Sequence, residues 1–199
     1  MPLMAASGSR LVWLAHKLHA MFWLVFGQEA RARAVFDTML ARWPGDAYAL
    51  ASRVHLNAQA GRHHEALADS EALVRGAPSD ARAWFNHGYL LESAERWEDA
   101  LAAFRRAAEI DPKLDRAWYG AGLVLIRLQR YDEAVAALER NTELQPMSPY
   151  GWYQLARVHV DRREPERAVK IIRHLKGFEP KVAAQLERET GLSAGPAAG

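Results

Sequence analysis

Residues 81–114 read ARAWFNHGYLLESAERWEDALAAFRRAAEIDPKL, and this stretch decides the fold. Apolar residues recur at helical spacing from Ala83 to Leu91. The Ala94-Glu95-Arg96 turn follows, and a second amphipathic stretch runs from Trp97 to Ile110. Asp111-Pro112 ends it, because proline lacks an N–H and cannot continue a helix. The stretch is a helical hairpin with its own stop signal, and the same features return on both sides of it. Pro44, Pro78, Pro112, Pro146 and Pro180 fall 34 residues apart. Ala32, Ala66, Ala100, Ala134 and Ala168 keep that period, as do Trp84, Trp118 and Trp152 and the small residues Ala20, Gly88, Gly122 and Ala156. Several columns in one register make the chain a repeat array, read as one elongated domain.

Composition agrees. Half of the 199 residues are hydrophobic, and alanine, leucine, arginine and glutamate outnumber β-branched runs, which favours helix throughout. The formal charge of +2 lacks the concentrated basic face expected of a DNA-binding domain. The chain has no cysteine, which excludes disulfides, thiolate metal sites and cysteine nucleophiles and fits a reducing cytoplasm. The apolar segment Leu11 to Phe26 is broken by His16, Lys17 and His19 and is shorter than the roughly 20 apolar residues of a membrane span. It has a weak basic start and no convincing cleavage site for a signal peptide, and it stands in register with the repeat. A cytoplasmic location is expected, with a peripheral membrane one as the alternative.

The eighth place of each unit (Gly88, Gly122) and the twentieth (Ala100, Ala134) are expected to face each other, since two helices approach closely only over small residues. Large residues at the fourth place (Trp84, Trp118, Trp152) and the twenty-fourth (Phe104, Leu138, Ile172) fill the space around them. The order tryptophan, small residue, alanine, bulky residue, proline resembles the tetratricopeptide repeat (TPR) family over about residues 13 to 182. The resemblance implies an all-α, right-handed superhelical α-solenoid of about five helix-turn-helix units and a C-terminal capping helix. The units run 13–46, 47–80, 81–114, 115–148 and 149–182 within a solenoid over 11–191, and the cap covers 181–190. Residues 1–10 and 192–199 are expected to be disordered. The first unit has His16 in the tryptophan column. The second has Leu50 there, with Val54 and Ser70 in the columns of Gly88 and Phe104. The fourth carries Asn141 late in its second helix, and the fifth has Pro165 in the turn.

In the TPR family the first helix of each unit lines a concave groove, and the resemblance places particular side chains there. They are Lys17 and Met21, then Tyr48 and His55, then Arg82, Phe85, Tyr89 and Glu92. The fourth unit adds Arg116, Tyr119, Leu123 and Arg127, and the fifth adds Tyr150, Tyr153, Arg157 and Asp161. Five cations face two anions among them, beside six aromatic rings. Arginine and tyrosine are frequent binding hot spots, so the expected ligand is a polypeptide segment with acidic and apolar residues. Part of this aromatic set is expected to pack on neighbouring repeats instead. The two-carboxylate clamp of chaperone-tail receptors is absent, Lys17 being its only match.

The first helix carries Leu11, Trp13, Leu14, Leu18, Phe22, Trp23 and Phe26 around most of its circumference, where a terminal repeat normally turns a polar face outward. A homodimer or hetero-complex through this helix is expected, with cover by residues 1 to 10 or a membrane surface as alternatives. No catalytic, cofactor or metal site is expected. Gly120-Ala121-Gly122 lies mid-helix with no preceding strand, and His16, His19, His63 and His64 lack carboxylates at matching spacing. The function expected is that of a non-catalytic bacterial adaptor, scaffold or assembly chaperone. A single-stranded RNA binder is the alternative, since arginines interleaved with aromatics also suit stacking and phosphate contacts.

Overall fold

The computed structural model describes residues 3–195, with side chains from Ser9 onward. Among the described residues there are eleven helices and no strands. They are α1 (Leu3–Val25), α2 (Glu29–Arg42), α3 (Ala47–Gln59), α4 (His63–Gly76), α5 (Ala81–Ser93), α6 (Trp97–Ile110), α7 (Asp115–Arg127), α8 (Tyr131–Leu144), α9 (Pro149–Asp161), α10 (Pro165–Lys176) and α11 (Pro180–Thr190). Helices α3, α5, α7 and α9 begin 34 residues apart, the interval of the prolines. The chain divides into two compact units, Met1–Leu90 and Leu91–Gly199, and α5 contributes to both.

Two kinds of turn recur. Between the helices of a hairpin the chain enters the left-handed region once, at Gly27, Gly61, Glu95, Gln129 and Arg163, with φ between 57° and 71°. The next N–H reaches back to close the preceding helix: Gln28 to Trp23, Arg62 to Asn57, Arg96 to Leu91, Arg130 to Leu125 and Glu164 to His159, at 2.8–2.9 Å. This closure satisfies carbonyls that a helix end leaves open. Only two of the five units use glycine, so the other three carry backbone strain in the turn.

Between hairpins the residue before each proline leaves the helical region, as the proline ring requires. Trp43, Ala77, Asp111, Gln145 and Glu179 have φ between −129° and −133°. The tryptophan column explains itself here. The indole N–H groups of Trp84, Trp118 and Trp152 donate to the carbonyls of Pro78, Pro112 and Pro146 at 3.1, 3.1 and 2.9 Å. Each tryptophan therefore pins its own helix to the turn that introduces it.

In the first unit Phe36, Met39, Ala20, Ala32 and Leu50 are buried in one cluster, with Trp13, Trp23, Trp43 and Tyr48 packed around it. A polar network sits beside this core. Arg53 pairs with both carboxylate oxygens of Asp69, which is 5 % exposed, and with Asp37 at 2.9 Å. Asn57 donates to Asp69 at 3.2 Å and Arg62 to Asn57 at 2.9 Å. Ser70 and His87, both buried, share a hydrogen bond of 2.8 Å.

In the second unit Phe104, Leu101, Leu125, Leu138, Ile172 and Leu175 are buried. A Cβ on Gly122 would stand 2.8 Å from Leu138, so the bulky residue of the twenty-fourth place packs directly on this glycine. Asn141 donates to the carbonyl of Asp115 at 3.0 Å. Its Oδ1 would be 2.2 Å from a Cβ on Gly151, so glycine at that place makes room for the asparagine.

Both ends of the chain are described in part. Helix α1 begins at Leu3, so the segment expected to precede it forms its opening turns. Residues Leu192 to Gly195 are not helical but are tied down. Ala194 is buried and donates to Glu187 at 2.8 Å, while Arg173 and Lys176 donate to the carbonyls of Ala194 and Gly195 at 3.1 and 2.7 Å. Met1, Pro2 and residues 196–199 lie outside the described residues.

Candidate functional site

The side chains assigned to the groove project from the first helix of each hairpin, and in the second unit they converge. Leu123, Arg127, Tyr153 and Arg157, with Glu92 and Asp161, line an open pocket of about 450 Å³ together with Gln154. Next to it Tyr119, Tyr150 and Tyr153 line a second recess of about 300 Å³, closed on one side by Val182 and Gln185 of α11. Arg116 is exposed near the start of α7 and belongs to neither recess.

Burial and charge shape this pocket. Glu92 is half-buried, and desolvation raises its pKa above the usual carboxylate value against the opposing pull of Arg127. Burial likewise raises the Tyr119 phenol, which is hydrogen-bonded to Gln154. The helix α11 reaches into the site through Glu189. The Tyr153 hydroxyl donates to the Glu189 carboxylate at 2.6 Å, Arg157 meets the same oxygen at 3.2 Å, and Gln185 holds the other at 2.7 Å. Tyr153 and Gln185 lead the effects that hold the Glu189 carboxyl below its ordinary pKa, with Arg157 adding to them.

The expected excess of positive charge therefore does not describe this pocket. Arg127 and Arg157 stand with Glu92 and Asp161, and Glu189 adds a third carboxylate at the rim. Glu189 lies beyond the last repeat, where periodicity gives no position to a side chain.

In the first unit the assigned residues divide. Tyr48 is half-buried, its ring 5.8 Å from Phe36 and 5.9 Å from Trp13, so it is part of the core edge. The ammonium of Lys17 sits over that ring at 4.6 Å. His55, Arg82 and Tyr89 are exposed, Met21 is exposed on α1, and Phe85 is half-buried.

The apolar contact residues of α1 divide as well. Trp13 and Trp23 turn inward, Trp13 donating to Asp46 at 2.6 Å and Trp23 to His19 at 2.7 Å under the guanidinium of Arg31. Leu11, Leu14, Leu18, Phe22 and Phe26 remain exposed. Among the described residues no group of three metal-ligating side chains comes together, and no helix is long and apolar enough to cross a membrane.

Comparison with known proteins agrees with this architecture. Two tetratricopeptide repeat profiles match residues 53–115 and 91–153. No curated protein sequence matches the chain. Among solved structures, that of MamA superposes with a TM-score of 0.78 at 16% identity, covering 92% of this chain and 97% of that one. MamA from Desulfovibrio magneticus RS-1, residue 41 to the end, gives 0.73 at 17% identity, covering 89% and 96%. YrrB, described as a TPR protein with an unusual peptide-binding site, gives 0.76 at 20% identity, covering 85% and 88%. At these identities the likeness concerns the fold. With the period of 34, the tryptophan column and the matched profiles, it establishes that the chain belongs to the tetratricopeptide repeat family.

Proposed function

We propose that this protein is a non-catalytic adaptor, scaffold or assembly chaperone that holds a segment of another polypeptide against its first-helix faces. The observation that carries the reading is the convergence of Leu123, Arg127, Tyr153 and Arg157 on one open pocket beside the Tyr119 and Tyr150 recess. Rings present large area at little entropic cost, and guanidinium groups pair with carboxylates or backbone carbonyls in fixed geometry. YrrB, of the same fold, is described as having a peptide-binding site, which fits the reading. The favoured segment has apolar residues for the tyrosine recess and acidic ones able to compete with Glu189 for Arg157. Arg82, His55 and Tyr89 extend the same columns on the first unit, and the exposed side of α1 is a second contact surface.

Single-stranded RNA is the weaker ligand, since Glu92, Asp161 and Glu189 would face its phosphates. Capture from lysate of the native host, read by mass spectrometry, tests the reading. The wild-type chain is expected to retain a set of proteins that the Arg116→Glu, Arg127→Glu, Arg157→Glu variant loses at unchanged helicity. Equal capture by both moves the site off this groove, and material released by ribonuclease and moderate salt selects RNA.

A further inference from the structure

The exposed side of α1 carries a stripe with internal symmetry. Leu11, Leu14, Leu18, Phe22 and Val25 are 69, 45, 57, 51 and 81 % exposed. Their spacings are three, four, four and three, which is a palindrome about Leu18. At about 100° per residue these five fall within an arc of roughly 80°, on the side opposite Ala20, which is buried against the rest of the first unit. A stripe this narrow, recurring at three and four residues, is the seam along which one helix packs on another.

We propose that this seam is covered by the same seam of a second copy of the chain, the two α1 helices lying antiparallel across a two-fold axis at Leu18. The proposal rests on the reading of α1 as a contact surface and names its occupant. In this pairing Leu18 meets Leu18 of the second copy, Leu14 meets Phe22, and Leu11 meets Val25, so every seam residue finds an apolar counterpart. With Phe26 and Met21, both exposed, the stripe offers on the order of 700 Å² of apolar surface per chain. Each partner of a standard interface contributes roughly 800 Å². A membrane surface would call for basic residues flanking the stripe. Of the two on α1 itself, Lys17 is drawn onto the Tyr48 ring, leaving Arg10.

The cysteine-free sequence makes the geometry directly testable. Sedimentation of the full chain at micromolar concentration is expected to give twice the chain mass, and Leu18→Arg to give a single chain with unchanged circular dichroism. A short bis-maleimide is expected to join Leu18→Cys to itself in high yield. Leu11→Cys alone is expected to give little product, because its two copies would stand about 21 Å apart along the axis. Leu11→Cys mixed with Val25→Cys is expected to cross-link. Self-linking of Leu11→Cys as efficient as that of Leu18→Cys overturns the antiparallel pairing. A monomeric wild type overturns the pairing altogether, as does a monomer that sediments with phosphatidylglycerol vesicles. Capture by Leu18→Arg separates this from the parent reading. If the wild type is monomeric and the variant loses a captured host protein, α1 is a contact surface for something else. If capture is unchanged, the contact-surface reading falls too, while the groove stands untouched.

Discussion

Replacing Arg53 by methionine is expected to destabilise the first unit by about 3 kcal/mol. Arg53 is the partner of Asp69, whose carboxylate is 5 % exposed and would be left with only the weaker hydrogen bond from Asn57. Removing one member of a buried pair costs about 3–5 kcal/mol, because the other charge stays desolvated without compensation. The Arg53 side chain is itself a quarter exposed, which places the effect at the low end of that range. Its contact with Asp37, whose side chain is 44 % exposed, adds less than about 1 kcal/mol. The hydrogen bonds and charges of Asp69 and Asp37 raise the Arg53 pKa, so the guanidinium stays charged under any folding condition.

A second substitution isolates the cause. Asp69→Leu in the Arg53→Met background removes the stranded charge, and the double variant is expected within about 1–2 kcal/mol of wild type, the residue being the lost partner of Asn57. Urea unfolding followed by circular dichroism measures both, and the single variant is expected to show an early phase from the first unit, since repeats lose cooperativity when one is weakened. A loss below about 1 kcal/mol for Arg53→Met, or a double variant as unstable as the sum of the singles, refutes the account.

Two further substitutions test the repeat geometry. Gln129→Gly relieves a non-glycine residue held at φ 57° and is expected to stabilise the chain by about 0.5–1 kcal/mol in the same urea measurement. An unfolding midpoint that falls would show that the Gln129 side chain supports the turn. Gly151→Ala gains about 1 kcal/mol of helix propensity but drives a methyl to within 2.2 Å of Asn141 Oδ1. Overpacking of about 1–3 kcal/mol and the weakened bond from Asn141 to Asp115 are expected to prevail, lowering the midpoint. A stabilised Gly151→Ala variant would mean that the asparagine moves aside freely.

The repeat period was legible because five copies of one unit act as their own comparison. Columns of proline and alanine stand out because one geometry is used five times, as with the residue that leaves the helical region before each proline, and tryptophan marks the last three units. What escaped the reading were pairs of departures. Arg53 stands at the place held by Ala121 and Leu155 in later units, and Asp69 at that of Val35, Ala103 and Ile171. Asp69 is a lapse in an apolar column and Arg53 stands in a mixed one, with His19 and His87, but together they make the buried network. Asn141 and Gly151 are a second such pair, at places held by Leu73 or Ala107 and by Ala83 or Ala117. Ser70 and His87 are a third. A column reading treats positions one at a time, whereas packing constrains the two members of a contact jointly. The direction of the α1 tryptophans escaped for a related reason: a helix apolar on all sides does not reveal from sequence which side meets the core.

The same logic bears on the groove. Where two helices pack, a change in one column is matched by a change in the column it touches, as the three pairs show. The ninth place of the units runs Met21, His55, Tyr89, Leu123 and Arg157, a spread of size and charge that no single packed contact would accommodate. At Arg157 the match lies outside the repeat, in Glu189 of α11, which meets both the guanidinium and the Tyr153 hydroxyl. A carboxylate supplied by the chain thus occupies the position proposed for an acidic side chain of a partner, in the geometry that such a ligand would adopt. An acidic segment entering this pocket must displace Glu189. Selectivity then depends on the difference between two carboxylates for one arginine and tyrosine, and a weakly acidic segment gains nothing by the exchange.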